Sequence, residues 1–408
     1  MKRIDIYTID IGGGHIAPAM AIKEQFELSG YKDLDVRVVN IARALNARFL
    51  LTIYKRYWDL ALRYPPLINT FYSGADNPFT IKILDRILGV SVLPRFAAYL
   101  EREKPDLIVS TYFSFTHYLE LFKRVGQIDT ICVVLNPEPF DAHQIWFSNA
   151  FDWSMVFSEA SREKIVKQGI PARKLKVFPF PIKPSYTLRR EPKETLRARL
   201  GIARDPFTFL FFFGAEGTGP VVKYLNAMRE KKLDVQVVVL CGKDTGLYAR
   251  LQRMAREFAP VRIIVGGYVP NLPDYIAASD VVVGKSGPNQ VFETLIQERP
   301  IIISSFLANE RCTSDWVLAN KLGWLCRTPG QFGQLAARVS HRPQILEQYR
   351  QNIRSMGLKS GAPEICAFLY DLVRNRGNAG KTSRLADFIR KARESLKSAG
   401  ARGARSPR

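Results

Sequence analysis

Short apolar runs alternate with longer amphipathic stretches along most of this chain. Ile4–Ile9, Asp35–Asn40, Asp106–Ser110, Thr130–Leu135, Trp153–Phe157 and Leu175–Phe178 read as one set of strands. Phe207–Phe213, Val235–Cys241, Val261–Val265, Val281–Val283 and Pro300–Ser304 read as a second. Several are apolar at nearly every position, which suits parallel strands covered on both faces. Between them, Ala17–Leu28, Ala160–Gln168 and Asn289–Gln297 read as helices, and further helices follow Pro343 and Pro363. This alternation predicts an α/β chain with parallel sheets. A chain of 408 residues suits two cores rather than one. The seam falls at Pro179-Phe180-Pro181-Ile182-Lys183, giving expected units 1–183 and 184–375 and a basic tail, 376–408. The Gly/Ala/Arg/Ser-rich end of that tail has too few apolar residues to fold.

One repeat of the pattern carries chemistry. Val281–Val283 leads into Gly284-Lys285-Ser286-Gly287-Pro288, then a helix, then the strand Pro300–Ser304. The loop falls at the carboxyl end of a strand, where open α/β sheets bind ligands. Ser286, the Gly287 backbone and the helix start offer hydrogen-bond donors and a positive dipole end to an anion. Glu293, farther along that helix, either complements the dipole or accepts two hydroxyls from a ribose diol. Near the amino terminus, Gly12-Gly13-Gly14-His15 follows the first strand without a G-x-G-x-x-G fingerprint. At a helix start the dipole disfavours an imidazolium, so His15 reads as a neutral ring able to take a proton, or as a polar cap. Asp33-Leu34-Asp35 sits in a turn, where aspartate is common, and is discounted as a metal site.

The long stretch Ala42–Leu100 departs from a plain βα connection. Phe49, Leu50, Ile53, Tyr54, Tyr57, Trp58 and Leu62 interleave with Arg43, Arg48, Lys55, Arg56 and Arg63. That is the composition of a helix lying in a membrane interface, or of a core helix with a solvated basic face. The net charge of +22 fits a membrane surface or nucleic acid. No zinc-finger, RRM or KH signature accompanies it, and no nucleic-acid partner is expected. No apolar run approaches the roughly 18 residues that span a bilayer. Met1-Lys2-Arg3 leads straight into a strand with no signal-peptide pattern. The five cysteines are scattered and read as free thiols. The expected place is cytoplasmic, peripheral on the inner face of the cell membrane.

These motifs, in this order, resemble the inverting GT-B glycosyltransferases of the family 28 type. That group includes the monogalactosyl- and glucosyl-diacylglycerol synthases and the lipid II-forming N-acetylglucosaminyltransferase. The resemblance covers the chain to about residue 370. It implies two Rossmann-like domains facing across a cleft, a UDP-sugar donor, a lipid acceptor, an anionic membrane surface as partner and no cofactor or metal. By position it implies that Ser286, Gly287 and Gln290 meet the diphosphate and Glu293 the ribose. Lys183 reaches the phosphates, and Gly214 and Gly217 belong to a glycine-rich loop at the cleft. Val269 lies in a turn that reads uracil through its backbone, and Asn309 and Glu310 form a turn on the sugar hydroxyls. Gly13 and Gly14 lie on the acceptor side with His143, and His15 is the base. Three departures stand out: Asn136-Pro137 where an aspartate is expected, Asn289 for a glycine, and Gln290 for a small or hydroxyl residue. Glu138 or Asp141 then become substitutes for the missing aspartate.

The expected reaction is inverting transfer of a hexose from a UDP-sugar to a membrane lipid such as diacylglycerol. The alternatives are a UDP-N-acetylglucosamine transferase acting on a polyprenyl-linked cell-wall precursor, a non-hydrolysing sugar-nucleotide epimerase, and a catalytically inactive GT-B membrane protein.

Overall fold

The structure is a computed structural model that describes residues 1–9, 13–47, 49–53, 56, 92–126, 128–188, 191–214, 220–305 and 310–375. The first sheet comprises β1 (Lys2–Thr8), β2 (Leu34–Asn40), β3 (Leu107–Ser110), β4 (Ile131–Leu135), β5 (Trp153–Val156) and β6 (Leu175–Val177). They lie in the order β2-β1-β3-β4-β5-β6, every pair parallel. The second comprises β7 (Thr208–Phe212), β8 (Gln236–Leu240), β9 (Arg262–Gly266), β10 (Val281–Lys285), β11 (Ile301–Ser305) and β12 (Gly323–Leu325). Its order is β12-β11-β10-β7-β8-β9, again all parallel. The apolar runs predicted eleven of these strands; β12, three residues with one glycine, is too short to register as a run.

Each order reverses once: between β1 and β3 in the first sheet and between β10 and β7 in the second. At such a switch point the flanking connections leave toward opposite faces and open a crevice at the carboxyl ends. The Gly13-Gly14-His15 loop leads from β1 to its helix, and Thr111 follows β3. Gly214 follows β7, and Ser286-Gly287 follows β10. Both candidate loops therefore sit at the switch points of their sheets.

The two units share one apolar core. It includes Ile22 and Phe26 of the Ile16–Ser29 helix, Phe178 and Phe180 of the linker, Phe292 and Ile296 behind β10, and Ile365, Phe368 and Leu369 near the carboxyl end. Phe180 stacks on Phe292 at 4.8 Å with the rings 10° apart, and Phe140 of the first unit stacks on Trp316 of the second at 4.8 Å. Phe292 is thus wedged in an aromatic hub one residue before Glu293.

Sequence order assigns the Ala362–Arg374 helix to the second unit; its contacts assign it to the first. Cys366 Sγ donates to the Ile22 carbonyl at 3.3 Å, and the Tyr370 hydroxyl donates to Asp33 at 3.2 Å. Phe368 packs edge-on against Trp153 and under the Lys176 ammonium. The chain therefore crosses between units twice, and the crossings are bonded to each other. Gly361 N–H donates to the Phe180 carbonyl at 3.0 Å. Ser360 Oγ accepts from Ile182 N–H at 3.0 Å and donates to the Ile182 carbonyl at 2.7 Å.

Candidate active site

On the first unit, the site is built around an aromatic cradle. His15 caps the Ile16–Ser29 helix, and its Nδ1 lies 2.9 Å from the Thr111 carbonyl. A carbonyl only accepts, so the proton sits on Nδ1 and Nε2 is the basic nitrogen. The ring meets Tyr112 edge-on at 5.0 Å and lies against Trp146 at 5.6 Å. Burial pushes its pKa down to about 4, against a smaller opposing effect of the Thr111 hydrogen bond. At neutral pH the imidazole is uncharged and competent to accept a proton. A Cβ added to Gly13 or Gly14 would meet nothing within 4 Å, so the loop borders open cleft.

His143 stands just before the turn that packs on His15. It is buried, and its Nδ1 accepts from Ile145 N–H at 3.2 Å, capping the Gln144–Trp146 turn that carries Trp146 to His15. Asn136, where an aspartate is expected, is a loop tie. Its amide donates to the carbonyls of Asp141 at 2.9 Å and Glu138 at 3.2 Å, and its oxygen accepts from Glu138 N–H at 3.1 Å. A carboxylate has no N–H to make the first two bonds. Asp141, considered as a substitute base, is paired with Lys164 at 2.6 Å.

Around the donor loop, the structure gives partners to three of the residues expected there. Ser286 is buried with both donors taken: its N–H by the Ser305 carbonyl and its hydroxyl by the Glu310 carbonyl, each at 3.2 Å. It pins the β10 and β11 loops together. Gln290 is spent on the sheet. Its amide is buried and donates to the Phe212 carbonyl at 2.7 Å, packing where Gly284 leaves no Cβ. Lys183 pairs with Glu24 at 3.1 Å, and its charge is also felt at Glu293. The donors that remain belong to the first turn of the Pro288–Leu295 helix, whose leading N–H groups have no partner within the helix.

Lys285 is the residue that sequence reasoning missed. Its side chain lies 3.6 Å from where a Cβ on Gly214 would stand and 3.2 Å from one on Gly287, and its ammonium is 3.5 Å from Glu310. The ammonium therefore sits among the β7 loop, the helix start and Glu310. Its sequence signal was a lone cation just past an apolar run, read only as one position of the glycine-bearing loop. Glu310 is buried, and its carboxylate oxygen would lie 3.1 Å from a Gly287 Cβ, so the close approach there requires glycine.

Glu293 faces the seam. The Tyr186 hydroxyl, just past the linker, donates to it, and the charge of Lys183 is felt there. Burial, the largest influence, still raises its pKa to about 7. Val269 follows β9, partly buried against the shared core, beside Tyr268, which is 69% exposed. Gly217 and Asn309 lie outside the described residues. The two loops meet through Asn289, whose amide donates to the Gly13 and Gly14 carbonyls at 3.2 and 3.1 Å.

Known proteins resemble this chain in sequence and in fold. Residues 15–182 match the family model for monogalactosyldiacylglycerol (MGDG) synthase, and residues 220–309 match the glycosyltransferase family 28 C-terminal domain. A probable chloroplastic monogalactosyldiacylglycerol synthase of Glycine max is 24% identical over 386 residues, covering 92% of this chain and 72% of its own length. Monogalactosyldiacylglycerol synthase 2 of Arabidopsis thaliana is 24% identical over 398 residues, covering 94% and 83%. Among solved structures, Acinetobacter baumannii MurG superposes with a TM-score of 0.58 at 15% identity, over 91% of this chain and 100% of its own. A UDP-GlcNAc 2-epimerase from Neisseria meningitidis gives 0.58 at 14% identity, over 92% and 100%. At those identities the structures speak for the fold alone. With that fold, and with a family model matched in each unit, the chain is a GT-B glycosyltransferase that resembles family 28 and, along its length, the monogalactosyldiacylglycerol synthases.

Proposed function

We propose that the enzyme transfers a hexose, with inversion, from a UDP-hexose to the free hydroxyl of diacylglycerol or a closely related lipid. The observation that carries this reading is the opposition of His15 and the donor loop. A neutral base with its lone pair on Nε2 stands on one side of the cleft. A helix start, Lys285 and Glu293 stand on the other. In the proposed step the acceptor oxygen attacks the anomeric carbon from the face opposite UDP. Its proton passes to His15 Nε2, the bond to the diphosphate breaks, and UDP leaves with the electron pair. Lys285 and the start of the Pro288–Leu295 helix meet the charge that develops on the diphosphate. Glu293 takes the ribose hydroxyls once the Tyr186 hydroxyl gives way. This reading places no resident metal in the reaction.

The relatives named as monogalactosyldiacylglycerol synthases support a diacylglycerol acceptor and galactose as donor sugar. A peripheral attachment to anionic lipid belongs to the same reading. Its sequence elements, Arg48–Arg63 and the tail, lie largely outside the described residues; at their edge, Phe49 and Ile53 are 41% and 40% exposed. Among the described residues, no helix is long and apolar enough to cross a membrane.

The test presents UDP-galactose, UDP-glucose and UDP-N-acetylglucosamine in turn, with diacylglycerol vesicles as acceptor. The expected result is lipid-dependent UDP release and a β-linked glycolipid. Transfer only to a polyprenyl diphosphate acceptor would move the function to cell-wall precursors. Conversion of UDP-N-acetylglucosamine without lipid would make the protein an epimerase. The absence of UDP release with every acceptor would leave an inactive scaffold.

A further inference from the structure

We infer that Asn289 is a positioning residue that registers the base loop to the donor helix. The inference rests on the catalytic reading above and adds a role for a side chain outside it. Both carbonyl oxygens facing the Asn289 side chain are acceptors only, so the NH2 end of the amide must point at them. The one amide nitrogen thus holds two consecutive carbonyls, those of Gly13 and Gly14. Gly14 is joined directly to His15, whose ring is already fixed against Thr111, Tyr112 and Trp146. Within the first unit the imidazole has little left to adjust. Its distance from the donor is therefore set by how the two units stand relative to each other.

Asn289 acts on that relation at the point where it matters. It lies in the first turn of the Pro288–Leu295 helix, the turn to which the proposed function assigns the leaving diphosphate. Its backbone belongs to the donor site while its side chain holds the loop of the base. Donor and base are thus gauged from one residue, with no long lever between them. Other contacts between the units, such as the Phe180–Phe292 and Phe140–Trp316 stacks, hold them together through residues outside the Gly13-Gly14-His15 loop. Reaction rate depends steeply on the alignment of the reacting groups, so the loss should fall on turnover and spare the binding of UDP.

The experiment compares Asn289→Ala, Asn289→Gln, His15→Ala and the Asn289→Ala/His15→Ala double variant in the full chain. Turnover is measured with saturating UDP-galactose and diacylglycerol vesicles, and UDP affinity by calorimetry, which also reports that each variant is folded. Asn289→Ala is expected to lower kcat about tenfold, the scale of a lost pair of hydrogen bonds, with the Kd for UDP changed less than about threefold. Asn289→Gln, which keeps the two N–H donors, is expected to recover part of kcat. Added to His15→Ala, the alanine at 289 should cost less than about twofold, because there is no base left to align. Normal kcat in Asn289→Ala beside an inactive His15→Ala would overturn the inference and leave the catalytic reading standing. So would equal losses in kcat and UDP affinity, or losses that multiply in the double variant. Normal turnover in His15→Ala would instead remove the base assignment, and this inference with it.

Discussion

His15 and Glu293 are both tuned by burial, in opposite senses. Loss of water disfavours the charged form of each, lowering the histidine to about 4 and raising the glutamate to about 7. His15 therefore stays a usable base well into the acid range, and the acid limb of kcat/KM belongs to Glu293. In the proposed function the ribose is held by the carboxylate, so kcat/KM for UDP-hexose should fall as the pH drops below about 7. In Glu293→Gln the plateau should be lower and the limb displaced toward 4, a shift that a pH–rate profile reads directly. For stability the sign is as follows. The folded pKa of Glu293 lies above its ordinary 4.5. The stability it lends is complete below that value and is lost as the pH rises through 7. Melting curves without UDP should show Glu293→Gln gaining on the native protein between pH 5 and 8. Removing the carboxylate in Glu293→Ala should weaken UDP binding by about 2 kcal/mol, the scale of a hydrogen bond to a charged group. His15→Ala should keep its UDP affinity and lose about a hundred- to ten-thousandfold in turnover.

The strands were legible because a parallel strand buried on both faces is apolar at nearly every position, as in Val281–Val283 or Phe209–Phe213. The loops at the switch points were legible because glycines gather there. What each polar side chain in those loops does was not, because donors and acceptors find partners distant in the chain. Ser286 spends its hydroxyl on Glu310, Gln290 reaches Phe212, and Lys183 turns to Glu24. The last helix shows the same limit, since periodicity marks a helix and its apolar face but not which sheet it covers. Its entry point gives a prediction. A Cβ on Gly361 would stand 1.9 Å from the Pro179 carbonyl oxygen, so Gly361→Ala must push the two crossings apart. The expected cost is about 1–3 kcal/mol in urea denaturation. Alanine at Gly357, where nothing lies within 4 Å but φ is +57°, carries backbone strain without that clash and makes a useful comparison.

For the whole molecule, the proposed attachment to membranes makes the net charge of +22 a matter of lipid composition and salt. Each Lys or Arg near an anionic surface contributes about 1 kcal/mol, falling off within a Debye length. Sedimentation with vesicles should therefore rise with anionic lipid, fall with salt, and weaken in a chain ending at Gly377. Pelleting that ignores lipid charge and salt would remove the electrostatic account, and tight binding to duplex DNA without vesicles would reassign the charge.

The double crossing between the units also decides how such an enzyme can be recombined. A chimaera spliced once at Lys183 would seat one parent's Ala362–Arg374 helix on the other parent's Ile16–Ser29 helix, pairing Cys366, Phe368 and Tyr370 with surfaces they did not evolve against. The exchangeable piece is discontinuous: the first 183 residues together with 357–375. Donor specificity should move between relatives only when the grafted segment stops short of that helix and leaves it with its original host.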